Sequence, residues 1–166
     1  MDNHARDKHA RVHSLHRSNG GVPKLGVSEA AVTRNGMSGD KQRQRRFHGG
    51  PERALCLYAI ERIAALQAEG HPIAPGTAGE NITFAGLDWN LVVPGVRLAI
   101  GDEAEIEIAS FTTPCKTIRE SFAEHDFTRI SEKLNPGWSR VYARVLSEGT
   151  IRVGDAVTLH SSGVTA

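Results

Sequence analysis

The sequence predicts a mainly β domain: a closed, mostly antiparallel β-barrel with helices packed around it. Three observations carry that expectation. Residues 103 to 108 alternate Glu103, Glu105 and Glu107 with Ala104, Ile106 and Ile108, which gives a strand one wet face and one buried face. Short β-prone runs recur at even spacing between turn formers. The strings VRLAIGDEAEIEI and GTIRVGDAVTLH both run strand, Gly-Asp turn, strand, and GMSGDKQ offers the same turn again. At such corners Gly allows a positive φ and Asp caps the turn through its own backbone.

The elements follow in order. Residues 1 to 10 are charged and aperiodic and are assigned to a disordered tail, 11 to 162 to a single domain, and 163 to 166 to a frayed end. Val12 and Leu15 mark a strand from Arg11 to Arg17, closed by the turn formers of SNGGVPK. Glu29 to Thr33 makes the next strand, with turns at Asn35-Gly36 and Gly39-Asp40. GGPERALCLYAIERIAALQAEG reads as the clearest helix: Pro51 suits its first position, Leu55, Ala59, Ile63 and Leu66 form a stripe, and Gly70 can end it. The prolines and glycines of HPIAPGTAGEN then force a loop that carries Glu80 and Asn81. Strands are expected over 82 to 84, 96 to 100 and 104 to 111. Two short helices across 116 to 134 should turn Ile118, Phe122, Phe127, Ile130 and Leu134 inward, and strands at 140 to 146 and 150 to 159 close the chain.

The totals exclude several classes. At 166 residues the chain can bury a core without metal or disulfide help. Its 20 Lys plus Arg against 19 Asp plus Glu give a net charge of +1, so neither a nucleic-acid partner nor an acidic tail is expected. The basic run from Lys41 to Arg46 lacks aromatic interleaving and suits a solvated loop or attraction of an anionic ligand. There is no CxxC pair, and neither an apolar leader nor a membrane-length apolar run occurs, which leads to the expectation of a cytoplasmic protein with reduced thiols and no membrane association. No Walker, Rossmann or G-x-S-x-G fingerprint occurs, and His4, His9, His13 and His16 cluster too near the start to define a ligand set.

Three constellations could carry chemistry. In SFTTPCKTI, Pro114 has no N–H, so strand pairing should stop there and leave Cys115 at a barrel rim. Lys116, Arg119 and an expected helix start would favour its thiolate, the form that attacks electrophiles or ligates metal. The competing assignment is a small buried hydrophobe. Cys56, inside the expected helix, is assigned to core packing. In RFHGGP, Gly49 and Gly50 ahead of Pro51 would bare backbone N–H groups toward an anion with His48 beside them, or simply make a tight turn. In PGTAGEN, Asn81 can donate and accept toward a ligand while Glu80 orders the loop; both could equally be turn cappers.

GDKQRQRRFHGGPERALCLYA, PGTAGENITFAGLD, VRLAIGDEAEIEIASFTTPCKTI and IRVGDAVTL, in that order and spacing, resemble the MOSC domain, named for the C-terminal domain of molybdenum cofactor sulfurase, and within it the small stand-alone bacterial members. The resemblance covers residues 12 to 159. It implies a barrel like the small barrel domain of pyruvate kinase, and a single cysteine, here Cys115, that ligates molybdenum of the pterin cofactor or carries sulfur. It also implies that His48, Gly49, Gly50 and Asn81 surround the cofactor, with Lys24 a further candidate. Related proteins reduce N-hydroxylated compounds with electrons from partner redox proteins, so the resemblance implies a molybdenum-dependent oxidoreductase needing an electron donor in trans and contact with the cofactor or its biosynthetic proteins. The alternatives are a sulfur carrier using a Cys115 persulfide and a non-catalytic ligand-binding barrel. PLP is not expected, because the chain lacks the aminotransferase-like portion and marks no Schiff-base lysine.

Overall fold

The computed structural model describes residues 9–41 and 50–161. Its strands are β1 (Arg11–Arg17), β2 (Leu25–Val27), β3 (Glu29–Thr33), β4 (Gly36–Met37), β5 (Leu55–Ala59), β6 (Ile82–Ala85), β7 (Arg97–Ile100), β8 (Ala104–Phe111), β9 (Val141–Ser147), β10 (Gly149–Arg152) and β11 (Val157–His160). One α-helix, α1 (Ile60–Ala68), occurs among the described residues, and no helix there is long and apolar enough to cross a membrane.

The mainly β character is present, but the closed barrel is not. Eight strands form one sheet in the order β11-β7-β8-β9-β5-β6-β1-β2, and β10-β3-β4 form a separate sheet. The terminal strands β11 and β2 do not pair. β1 spends the outer edge of its second half on β2, where Leu15 faces Val27 and Arg17 faces Leu25. Only its beginning is left to meet the other end of the sheet, and it does so at the isolated bridge Arg11–Ala156, flanked by Val12 N–H donating to Asp155 O at 2.9 Å and Val157 N–H to Ala10 O at 2.9 Å. The ladders are antiparallel except for β5–β6, which is parallel and joined by α1 and the loop after it.

The expected long helix splits in two. Residues 55 to 59 are all buried and form β5, between β6 and β9 at the centre of the large sheet. A strand covered on both faces needs an unbroken apolar run rather than alternation, and Leu-Cys-Leu-Tyr-Ala supplies one. The helical stripe is real only in its second half, where Ile63 and Leu66 are buried on α1 and Gly70, at φ +101°, ends it. Pro51 opens a three-residue 3-10 turn, Pro51–Arg53. The two short helices of 116 to 134 are 3-10 segments, Lys116–Ser121, Ala123–His125 and Phe127–Ile130. They bury Ile118, Phe122 and Ile130, whereas Leu134 is 63% exposed rather than turned inward.

The Gly-Asp turn near residue 154 forms as expected: Asp155 accepts the N–H of Arg152 at 2.8 Å, and Gly154 has φ +93°. The echo at Gly39-Asp40 differs, because the carboxylate of Asp40 turns inward.

Candidate functional site

Strand periodicity places the first group of site residues. On β9, Val141, Ala143 and Val145 are buried in the core, so Tyr142 and the preceding Arg140 share the opposite face. Cys56 on β5 lies directly across from Tyr142, and the bond from Thr112 N–H to Arg140 O at 3.1 Å sets Thr112 across from Arg140 on the other side. Cross-strand partners share a face. Cys56, Tyr142 and Arg140 therefore form one wall of a cleft of about 340 Å³, with residues 21, 22, 24, 78, 79, 113, 115 and 117–119 around it.

The opposite wall carries Cys115. β8 ends at Phe111, Cys115 has extended backbone, and the 3-10 segment begins at Lys116. The proline stop thus delivers a half-buried thiol to the cleft, with Sγ 2.8 Å from the hydroxyl of Thr117 and Arg119 nearby in the lining. Cys56, assigned to packing within a helix, is instead a strand residue that reaches the same cleft while only 5% exposed.

Lys24 also lines the cleft. Its ammonium donates to both oxygens of Asp40, at 2.8 and 2.7 Å, and the two side chains are 7% and 4% exposed. Asp40 accepts as well from Ser18 N–H at 2.9 Å and from the Asn81 amide at 3.0 Å. Asn81 is fully buried behind the cleft: its Oδ1 accepts Cys56 N–H at 3.0 Å and its Nδ2 also donates to His16 O at 3.3 Å. Its backbone bonds both neighbouring strands, through Asn81 N–H to Cys56 O at 2.7 Å and His16 N–H to Asn81 O at 2.8 Å. The Asn81 amide thus ties β5 and β1 to Asp40 and stands outside the cleft lining. Gly76 lets its loop press on the Lys24 segment; at φ +88° a Cβ there would sit 2.4 Å from Lys24 O.

Gly50 is exposed and precedes a 3-10 turn of three residues, so the long helix whose bare amides would have faced an anion does not start there. His48 and Gly49 lie outside the described residues. Sequence reasoning missed Arg140, Tyr142 and Asp40. The first two were legible in the alternation of Arg140, Tyr142 and Arg144 with Val141, Ala143 and Val145; Asp40 was hidden by its likeness to a turn cap.

Burial dominates the electrostatics. It pushes the Tyr142 hydroxyl up to about 12, so the phenol keeps its proton. It raises the Cys56 thiol, against the pull of Arg140, so that sulfur stays protonated. It lowers His16 to about 4, leaving a neutral imidazole whose Nδ1 lies 3.2 Å from Glu80 O.

No three His, Cys, Asp or Glu side chains among the described residues gather as a metal site. A metal held here would take one protein sulfur from Cys115 and bring further ligands of its own, as a metal bound to pterin sulfurs does. Arg140 suits the anionic part of such a group: it lines the cleft with its Nη1 held on Ala78 O at 2.8 Å, and its buried Nε has no hydrogen-bond partner among the described residues. The described residues fit the cofactor.

A mainly β unit with one half-exposed thiol in a cation-lined cleft is the architecture here, and residues 44–158 match the MOSC domain. The chain belongs to the MOSC domain family. It is 29% identical over 137 residues to YflK of Bacillus subtilis, covering 82% of this chain and 61% of YflK. It is 33% identical over 117 residues to YiiM of Escherichia coli, covering 66% of this chain and 51% of YiiM. The chain thus spans between half and about three fifths of the length of these relatives. Among solved structures, YiiM of Geobacillus stearothermophilus superimposes with a TM-score of 0.72 at 25% identity, over 95% of this chain and 78% of that one. The YuaD protein of Bacillus subtilis gives 0.71 at 19% identity, over 92% and 96%, a likeness of fold alone.

Proposed function

We propose that the cleft holds the molybdenum cofactor with Cys115 as the metal's protein ligand, and that the protein reduces N-hydroxylated compounds using electrons from a separate redox protein. The observation that carries this is the placement of one half-buried thiol, a soft ligand atom, in the same cleft lining as Lys24, Arg119 and Arg140. When bound, the cofactor supplies two-electron chemistry at a metal with an exchangeable position. Overall, an N–OH group takes two electrons and two protons, its N–O bond breaks, and the amine and water leave.

The chain's own residues prepare that site. Arg140, with Nη1 fixed on Ala78 O, brings its guanidinium charge to the cleft lining. Lys24 is held on the wall by Asp40. Tyr142 keeps a donor hydroxyl throughout the physiological range. Ile118 and Val22 add apolar surface to the cleft lining.

The test is expression with molybdate, followed by metal and pterin analysis and reduction of an N-hydroxylated substrate with a chemical electron donor. Cys115→Ala should lose metal and activity while melting normally. Wild-type protein without metal or pterin, or a Cys115→Ala variant that retains activity, overturns the assignment. A second thiol in the same cleft favours one other reading, a sulfur carrier in which Cys115 holds a persulfide; cyanide-labile sulfur on Cys115 in metal-free protein would support it.

A further inference from the structure

Behind the cleft, three buried polar atoms from three segments have no hydrogen-bond partner among the described residues: Glu80 Oε1, Arg140 Nε and Thr112 Oγ1. Thr112 and Arg140 are cross-strand neighbours, and Arg140 is fixed to Ala78 in the segment that ends at Glu80. One atom is a donor, one an oxygen of a carboxyl group, and one can do either, a set that satisfies an internal water molecule. Glu80 is 0% exposed; its other oxygen accepts the Thr83 hydroxyl at 3.1 Å, and no hydrogen bond joins its carboxyl to the guanidinium. Its own and the Gly76 N–H groups also face the carboxyl, yet Oε1 stays without a partner and full burial outweighs those donors, which favours the uncharged form.

We propose that Glu80 is carried as an uncharged carboxylic acid and supplies protons to the cleft through internal water held at Arg140 Nε and Thr112 Oγ1. Its use in turnover rests on the reductase reading above. In the step, the Glu80 O–H bond breaks and the proton passes along the water to the oxygen of the N–OH group, which leaves as water. The two electrons come from the donor redox protein, a second proton taken from solvent completes the amine nitrogen, and the Glu80 carboxylate then regains its own proton from solvent. Burial raises the Glu80 carboxyl, against the lowering effects of its own and Gly76 N–H groups, Thr83 and Arg140. The other titratable groups around it are Cys56 and Tyr58 on β5, both held protonated by burial, and the neutral His16 on β1. Glu80 is thus a positioning residue acting through Arg140 and water, distinct from the metal's ligand.

Two measurements test this. In protein carrying carbon-13 at its glutamate carboxyls, infrared spectra at neutral pH should show one protonated glutamate band that Glu80→Gln abolishes. Absence of that band overturns the proposal whatever the cofactor content, and it is read in wild-type protein even if the variant folds poorly. In metal-loaded protein, Glu80→Gln should lower kcat roughly 100-fold and alter the pH profile, with KM and metal content unchanged. An unaltered kcat and pH profile overturns the relay. Wild-type protein that shows the band but takes up no metal sinks the reductase reading and leaves the neutral acid in place.

Discussion

Removing one partner of the Lys24–Asp40 pair should cost far more than a salt bridge on an open surface. Exposed pairs contribute about 1 kcal/mol or less. Here the side chains are 7% and 4% exposed, and the ammonium reaches both carboxylate oxygens. Breaking a buried pair by deleting one side costs about 3–5 kcal/mol, because the survivor is left charged and dry. Lys24→Met should fall near the lower figure, about 3 kcal/mol, since Asp40 keeps the N–H donors of Ser18 and Asn81. Asp40→Ala should fall at the upper figure, about 5 kcal/mol, since it strands the ammonium and also deprives those two donors of their acceptor. Against a typical total stability of about 5–15 kcal/mol, either loss is large. The assay is urea unfolding of both single variants and of Lys24→Met/Asp40→Ala, read as a lower midpoint at unchanged slope. The double variant should be more stable than the two single losses added together predict, by about 2 kcal/mol or more. Single losses below about 1 kcal/mol that simply add would show that the pair behaves as a solvated surface contact and refute the reasoning.

His16 predicts an acid limb. Its folded value is lowered to about 4 from 6.5, so its contribution is complete above 6.5 and is lost as pH falls from 6.5 toward 4, where the unfolded chain binds a proton that the native state refuses. The loss is on the order of 3 kcal/mol; urea midpoints across that range should fall in the wild type and flatten in His16→Gln, and parallel curves would contradict the assignment. Gly76→Ala should destabilise by about 2 kcal/mol or more, since Ala must take φ +88° with Cβ against Lys24 O; a thermal melt within a degree of wild type would disprove the close approach.

The strands whose two faces differ were legible in the sequence. Residues 29–33 and 104–111 alternate, and the structure forms β3 and β8 at those bounds; β1 also forms at 11–17, with its alternation broken at a bulge between Val12 and Ser14. β5 was not legible as a strand, because a segment buried on both faces has no alternation to read and its stripe continued smoothly into α1. Closure failed for a different reason: whether β1 gives its edge to β2 or to the far end of the sheet depends on a three-residue strand, Leu25–Val27, with almost no pattern of its own. In the cleft, the position of Cys115 just beyond a strand end could be read because Pro114 has no N–H with which to continue a ladder. Asp40 and Arg140 matter through partners far away in sequence, Lys24, Asn81 and Ala78, and no local rule reveals such meetings.

The single bridge between Arg11 and Ala156 makes a seam where a continuous wall would have had a ladder. Amide protons along that seam, such as those of Val12 and Val157, should exchange with deuterium through small local openings, while those of β8 and β9 wait for wholesale unfolding. The fold therefore has a built-in line of weakness, and it lies where the first and last strands of the large sheet meet.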